Sequence, residues 1–429
     1  MITQTPTHIS FTLFRGWVVT ASSSFMGLFL GILYVWSVIK SGIPDSWGWT
    51  YADKALPYSV MCITFSVIMV PAGLLQDRFG PRWVVLLGGF LTGLGCIMSG
   101  LGGGARLAYV IGFGLVTGAG AGFAYSALTP AAIKWFPPHR TGVVVGIVVA
   151  GFGLSPLPLA PLATWLLSYF KTTTTFGVVE KGISQTMIGL GLAIWLVVGL
   201  LFWFIDNPPV GFSTAPRKSA DPVSQRPESN WRQMLATAQF WLLFVMYFSG
   251  ASAGLMFISV ATDLGKQALG EWAFLSVVVM SIGNTVGRIV AGAVSDRIGR
   301  HLTLCAEFVC QGSVIGILFR LTQHGGCSWR SILPVLFMIG LNYGANLTLF
   351  PAACKDYFGI RNFGINYGLL FLAFGTAGLI MPWLNGLIRD LTGKPDISYL
   401  MIMTMMAGAM VLSLVGRRLA APCHGTFST

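Results

Sequence analysis

Gly73-Leu-Leu-Gln-Asp77-Arg78-Phe-Gly80-Pro-Arg82 returns 219 residues later as Gly292-Ala-Val-Ser-Asp296-Arg297-Ile-Gly299-Arg300. Each copy follows a long apolar run and precedes another, so each reads as a tight polar turn between two buried segments. A second pair of stretches agrees. Pro130-Ala-Ala-Ile-Lys134, running on to Arg140, is matched by Pro351-Ala-Ala-Cys-Lys355, running on to Arg361. One residue further out of step, Gly146 is matched by Gly368, and Phe152-Gly153 by Phe374-Gly375. The chain is therefore a doubled unit, and its half-length sets the scale of each copy.

The residues between these markers say where the unit lives. Of 429 residues, 54% are hydrophobic and only 9% are charged, against about 25% charged in an ordinary soluble domain. So few charges cannot cover a soluble surface of this size, and lipid must take their place. Twelve runs are long enough to cross a bilayer as helices: 15–39, 55–76, 83–102, 107–130, 142–169, 185–205, 238–262, 271–294, 302–321, 330–353, 363–388 and 396–416. None shows the ten-residue alternation of a membrane barrel strand. The expected fold is an all-α membrane protein of twelve transmembrane helices in two pseudo-symmetric six-helix bundles. The Pro- and Ser-rich stretch 206–231 reads as a flexible linker between an N-terminal bundle (1–205) and a C-terminal bundle (232–417), with a tail at 418–429.

Net charge is +12, from 26 basic and 14 acidic residues. The basic residues come in small groups between the apolar runs, which is a topogenic pattern and excludes nucleic acid as a partner. Fifteen fall on the side of the two termini and ten on the other, so the termini are expected in the cytoplasm. The seven cysteines lie mostly in apolar runs without C-x-x-C spacing and read as buried apolar residues, not as a disulfide or metal framework.

One basic residue is left over. Arg288 lies mid-way along the eighth run, in Ser281-Ile-Gly-Asn284-Thr-Val-Gly-Arg288. A guanidinium at that depth needs a partner or a polar cavity. The acidic residues offer little: Asp263 and Glu271 stand at the ends of runs seven and eight, and Glu307 is two turns into run nine. The natural counter-charge is an anionic substrate, with Asn284 four residues earlier on the same face; the alternative is a structural pairing with Glu307 or a helix-end carbonyl. Tyr34, Tyr125, Tyr343, Phe371 and Phe374 are the aromatic candidates for the same pocket. No nucleophile, metal cluster or carboxylate pair sits at depth, which argues against an enzyme, and no P-loop is present to harness ATP.

Two bundles around one cavity can rock and expose it to each side in turn. The doubled G-x-x-x-D-R-x-G turn resembles the signature of the major facilitator superfamily over nearly the whole chain. Gly31-Ile-Leu-Tyr34-Val-Trp36-Ser37, Asn284-x-x-x-Arg288 and Asn366-Tyr367-Gly368-Leu369 narrow the resemblance to the oxalate:formate antiporter family and the related monocarboxylate transporters. That resemblance makes Arg288 the carboxylate-binding residue. It also makes Asp77, Arg78, Asp296 and Arg297 conformational gating residues. The oxalate exchangers carry a second cation, a lysine, in the segment where this chain has Phe374. The expected substrate is therefore a monocarboxylate such as lactate or pyruvate. The expected mode is symport with a proton as coupling ion, by a monomer in the inner membrane without bound cofactor. Carboxylate exchange is the alternative, and a non-transporting receptor the remote one.

Overall fold

The computed structural model describes residues 6–137, 140–173, 179–180, 182–208, 228–323, 328–359 and 362–420. Most of the linker and tail, and the side chain of Asp77, lie outside the described residues. Eleven apolar helical stretches are long enough to cross a membrane. One of them, Ala238–Ile298, is two antiparallel crossings joined by a turn at Gly270–Phe274, where Gly270 takes φ +54°. The chain thus makes twelve crossings among the described residues. A two-residue ladder, Thr172–Thr173 with Val179–Glu180, links passes 5 and 6.

The doubled turns adopt one shape. Gly80 (φ +82°, ψ 161°) ends pass 2, Tyr51–Phe79, and Gly299 (φ +89°, ψ 158°) ends pass 8, Leu275–Ile298. A side chain is strained at such φ values, so the repeated glycine is a backbone requirement.

Passes 8 and 10 (Trp329–Phe358) are held together by small residues. Gly283 and Gly287 lie against the backbone of Phe337 and Leu341, and Gly340 and Gly344 against that of Met280 and Asn284. A Cβ on Gly287 would lie 1.9 Å from the Leu341 carbonyl oxygen, and one on Gly344 would lie 1.9 Å from that of Asn284. Such close backbone approach is how helices associate in lipid, where apolar contact alone gives no preference. Asn284 and Arg288 each follow one of these glycines. The seam therefore fixes their positions beside it.

The sequence predicts unbroken passes 1 and 5, and both are broken. Pass 1 runs Pro6–Leu30, tightens into a 3-10 turn at Ile32–Val35, and resumes at Trp36–Lys40. Pass 5 runs Thr141–Gly153 and restarts at Pro156–Tyr169. The breaks meet: Ser155 Oγ donates to the Gly31 carbonyl at 2.7 Å, and a Cβ on Gly31 would strike that hydroxyl. Pro156 supplies no N–H to continue its helix. The Gly31 carbonyl thereby gains a partner from the other break, of the kind irregular backbone at membrane depth requires.

Candidate functional site

A cavity of about 1320 Å³ lies between the bundles and opens on the side of the termini. Its mouth is formed by Gly73 and Gln76 of pass 2, Lys134 after pass 4, Gly142 of pass 5, Pro351 of pass 10 and Asn362 before pass 11. Its closed end reaches Tyr125, Arg288 and Tyr367. Beyond Arg288 the space shrinks to a cleft of about 10 Å³ among Tyr34, Asn284 and Tyr343, which is about one water molecule.

Arg288 stands at the junction of these two spaces. Its Nε donates to Asn284 Oδ1 at 3.2 Å, and Nη1 reaches the Val149 carbonyl of pass 5 at a long 3.5 Å. Tyr34, Tyr125 and Tyr343 lie within electrostatic range of the guanidinium. Among the described residues no carboxylate comes within ion-pair distance of it. Glu307 turns elsewhere: its Oε1 accepts from Asn346 Nδ2 at 3.0 Å. Arg288 is therefore a cation at membrane depth with only neutral protein partners, and the rest of its fork faces the cavity.

The phenols close the site toward the other bundle. Tyr34, in the broken turn of pass 1, meets Tyr343 of pass 10 with 3.3 Å between hydroxyls. Tyr125 of pass 4 (helical at Gly118–Ile133) packs edge-on to Phe152, with ring centres 4.8 Å apart. Phe371 and Phe374, in pass 11 (Phe363–Thr392), do not line the large cavity. They stack on each other at 4.7 Å and form a buried aromatic layer with Phe65 of pass 2, Tyr247 of pass 7 and, against Phe374, Tyr343. That layer borders the site on its closed side.

Sequence reasoning missed several residues here. Tyr367 lines the cavity and stands edge-on to Phe371 at 5.6 Å. Its spacing from Phe371 and Phe374, four and seven residues, marks one helix face and was a usable signal. Thr285 lines the cavity, and Ser281 Oγ donates across the bundles to the Gly153 carbonyl. No pattern in one chain announces a contact across 128 residues.

The side opposite the termini is sealed by contacts between the halves. Lys40, ending pass 1, pairs with Asp263 of pass 7 (Ala238–Leu269) at 3.0 Å and donates to the Ser259 carbonyl at 2.8 Å. Ser37 and Thr262 share a hydrogen bond of 3.0 Å. Asp390, near the end of pass 11, accepts from the first amides of pass 2, Tyr51 at 2.7 Å and Ala52 at 2.8 Å. An acid at a helix N-terminus meets both unpaired N–H groups and the positive end of the dipole.

Of the repeated stretches, Gly73 and Gln76 reach the cavity mouth, whereas Arg78, Asp296 and Arg297 do not line the cavity. Arg78 is exposed with its guanidinium 5.4 Å from the Phe79 ring centre. Asp296 pairs with Arg300 at 2.7 Å, and Arg300 reaches on to Asp356 of pass 10 at 3.1 Å. Arg297 is exposed.

The family model for the Major Facilitator Superfamily matches residues 18–382. The oxalate:formate antiporter of Oxalobacter formigenes is 26% identical over 82% of this chain and 80% of its own. Human monocarboxylate transporter 11 is 25% identical, over 93% of this chain and 81% of its own. The fold matches a bacterial homologue of the human lysosomal transporter Spinster, solved inward-facing and occupied, with a TM-score of 0.70 at 13% identity, covering 93% of this chain and 96% of that one. A doubled six-helix unit, a cavity at its pseudo-symmetric centre and these likenesses converge: the chain belongs to the major facilitator superfamily.

Proposed function

We propose that this protein is a secondary transporter of small monocarboxylates, of the lactate and pyruvate kind, moving them with protons by alternating access. One observation carries the reading: Arg288 lies in a cavity between the bundles with no carboxylate in ion-pair range among the described residues. A bidentate carboxylate would supply the missing charge and fill the guanidinium fork. Asn284 and the phenols of Tyr34, Tyr125 and Tyr343 would orient the head group and any neighbouring hydroxyl. The aromatic layer around Phe374 suits a short apolar remainder. It supplies no second cation, so a dianion would leave one carboxylate unpaired at low dielectric.

In this reading the termini are cytoplasmic in an inner membrane, the open cavity is the inward-facing state, and Lys40, Asp263 and Asp390 hold the outer side shut. Asp77, Arg78, Asp296 and Arg297 would act when the inner side closes, without touching substrate. The protein would work as a monomer, without a bound cofactor. The similarity to the oxalate:formate antiporter favours a second reading, obligatory exchange of carboxylates.

Uptake of labelled lactate, pyruvate, formate and oxalate into proteoliposomes, with and without an imposed pH gradient, tests both. Lactate or pyruvate accumulation driven by an inward proton gradient is expected. Uptake that requires a carboxylate inside and ignores the gradient would replace symport with exchange. Binding without any flux would leave a receptor.

A further inference from the structure

Pass 9 (Arg300–Gln323) carries a carboxylate that the binding site does not use. Glu307 is 6% exposed and packed between passes 9 and 10. Asn346 Nδ2 donates to its Oε1 at 3.0 Å and shares its hydrogens with the Asn342 carbonyl at 3.0 Å. Asn342 in turn donates to Cys310 Sγ at 3.5 Å. Glu307 Oε2, Asn346 Oδ1 and both amide atoms of Gln311 are buried without a hydrogen-bond partner. Gln311 is one turn from Glu307, on the same face, and 1% exposed.

The surroundings offer no counter-charge. Pass 12 (Asp396–Ala420) brings Met403 and Met406 against pass 9, with Asp396 and Arg417 at the ends of its span. Pass 10 brings the two asparagines. Pass 7, facing Asn346, brings Gly250 and Tyr247. Pass 8 brings Arg288, which is turned to the cavity. On pass 9 itself the ionisable neighbours are the thiols of Cys305 and Cys310, while Arg300, His301 and Arg320 stand near its ends. Among the described residues no ion pair reaches Glu307.

We propose that Glu307 is the proton-binding site of the transport cycle, with Gln311, Asn342 and Asn346 as its polar seat; this rests on the symport reading given above. A bare carboxylate in such a place is strongly penalised unless compensated. A proton is the one compensation the neighbours are built for. The Gln311 amide can donate to the carboxylate or accept from the carboxylic acid, so both forms find a partner.

The link to substrate runs along pass 10. Asn346 is one turn from Tyr343, whose hydroxyl meets Tyr34 at the closed end of the Arg288 cleft. Pass 7 is shaped to both residues: a Cβ on Gly250 would lie 2.3 Å from Asn346 Oδ1, and one on Gly254 would lie 2.1 Å from the Tyr343 ring. A change of charge at Glu307 therefore bears on the helix that positions the site's phenol.

The test compares wild type, Glu307→Gln and Glu307→Asp in proteoliposomes. Three readouts are taken: accumulation driven by a pH gradient, counterflow of labelled against unlabelled lactate, and lactate binding with thermal stability in detergent. For one-to-one symport the wild type should concentrate lactate about tenfold per pH unit. Glu307→Gln should lose that accumulation while keeping counterflow and binding. Glu307→Asp should keep accumulation, with its pH dependence displaced. Gradient-driven accumulation by a folded Glu307→Gln equal to wild type overturns the assignment, as does a Glu307→Asp that folds and binds but cannot accumulate. A sodium gradient replacing the proton gradient in wild type, abolished by Glu307→Gln, would make the seat a cation site and equally overturn it. A wild type indifferent to any gradient would instead refute the symport reading itself.

Discussion

Replacing Lys40 with Met should open the side of the protein opposite the termini, and the size of the effect follows from the geometry. Lys40 Nζ and Asp263 Oδ2 are 3.0 Å apart, with side chains 8% and 21% exposed. At an effective dielectric near 20, the Coulomb attraction at that distance is roughly 5 kcal/mol. Desolvation of two ions offsets much of it, leaving about 2 kcal/mol for a partly buried charged hydrogen bond. When the bundles part on that side, both groups regain water, so the contribution belongs to the closed state alone. Losing about 2 kcal/mol moves the equilibrium toward the state open on that side by roughly 30-fold.

Lys40→Met is the cleaner perturbation because Asp263 keeps Lys266 at 3.5 Å. Asp263→Asn should act more strongly, since it strands an almost fully buried ammonium. Spin labels at Ser46 and Glu271, exposed residues of opposite halves on that side, report the distance directly. Both variants should populate a longer distance than wild type, Asp263→Asn the more. Distance distributions that match wild type in both would refute the claim that this pair holds the side opposite the termini shut.

Three further outcomes are expected. Arg288→Ala should abolish lactate binding with little change in thermal stability, and Arg288→Lys should bind at least tenfold more weakly, because a point charge cannot form the bidentate fork; calorimetric titration reads both. Gly287→Ala should cost about 1–3 kcal/mol through overpacking against the Leu341 carbonyl, seen as a lowered midpoint in thermal unfolding. Phe374→Lys should let unlabelled oxalate compete with labelled lactate, since two cations beside one small space favour a dianion; no competition from a folded variant would count against the monocarboxylate argument.

The repeat and the apolar runs made the fold legible in the sequence, and the isolated arginine pointed to a residue that the structure places in the cavity between the bundles. Each is a local signal: a turn motif, a length, a charge out of place. The breaks in passes 1 and 5 were not legible, because Gly31 and Ser155 break their helices against each other across 124 residues. Pass 4 hides a similar feature, a π-helical stretch at Val110–Thr117 inside an ordinary apolar run. The Lys40–Asp263 and Asp390 contacts join residues that read singly as helix-end charges. Phe371 and Phe374 were visible as aromatics, yet only packing places them in a layer behind the cavity instead of on its wall.

The two halves repeat in sequence but divide the labour at the centre. The N-terminal bundle contributes irregular backbone: the 3-10 turn that carries Tyr34 and the break beside Gly153, which receives Ser281. The C-terminal bundle contributes unbroken helices locked by the glycine seam of passes 8 and 10, and on that seam stand Asn284 and Arg288. A charge that must hold one position against a substrate belongs on the rigid side. In the proposed function, the phenol beside it belongs where backbone can adjust at modest cost. Arg288 also reaches the Val149 carbonyl of the opposite half at 3.5 Å. A carboxylate taking those hydrogens would remove a contact between the halves as it binds. Substrate would then both fill the site and loosen one restraint on the rocking that carries it across.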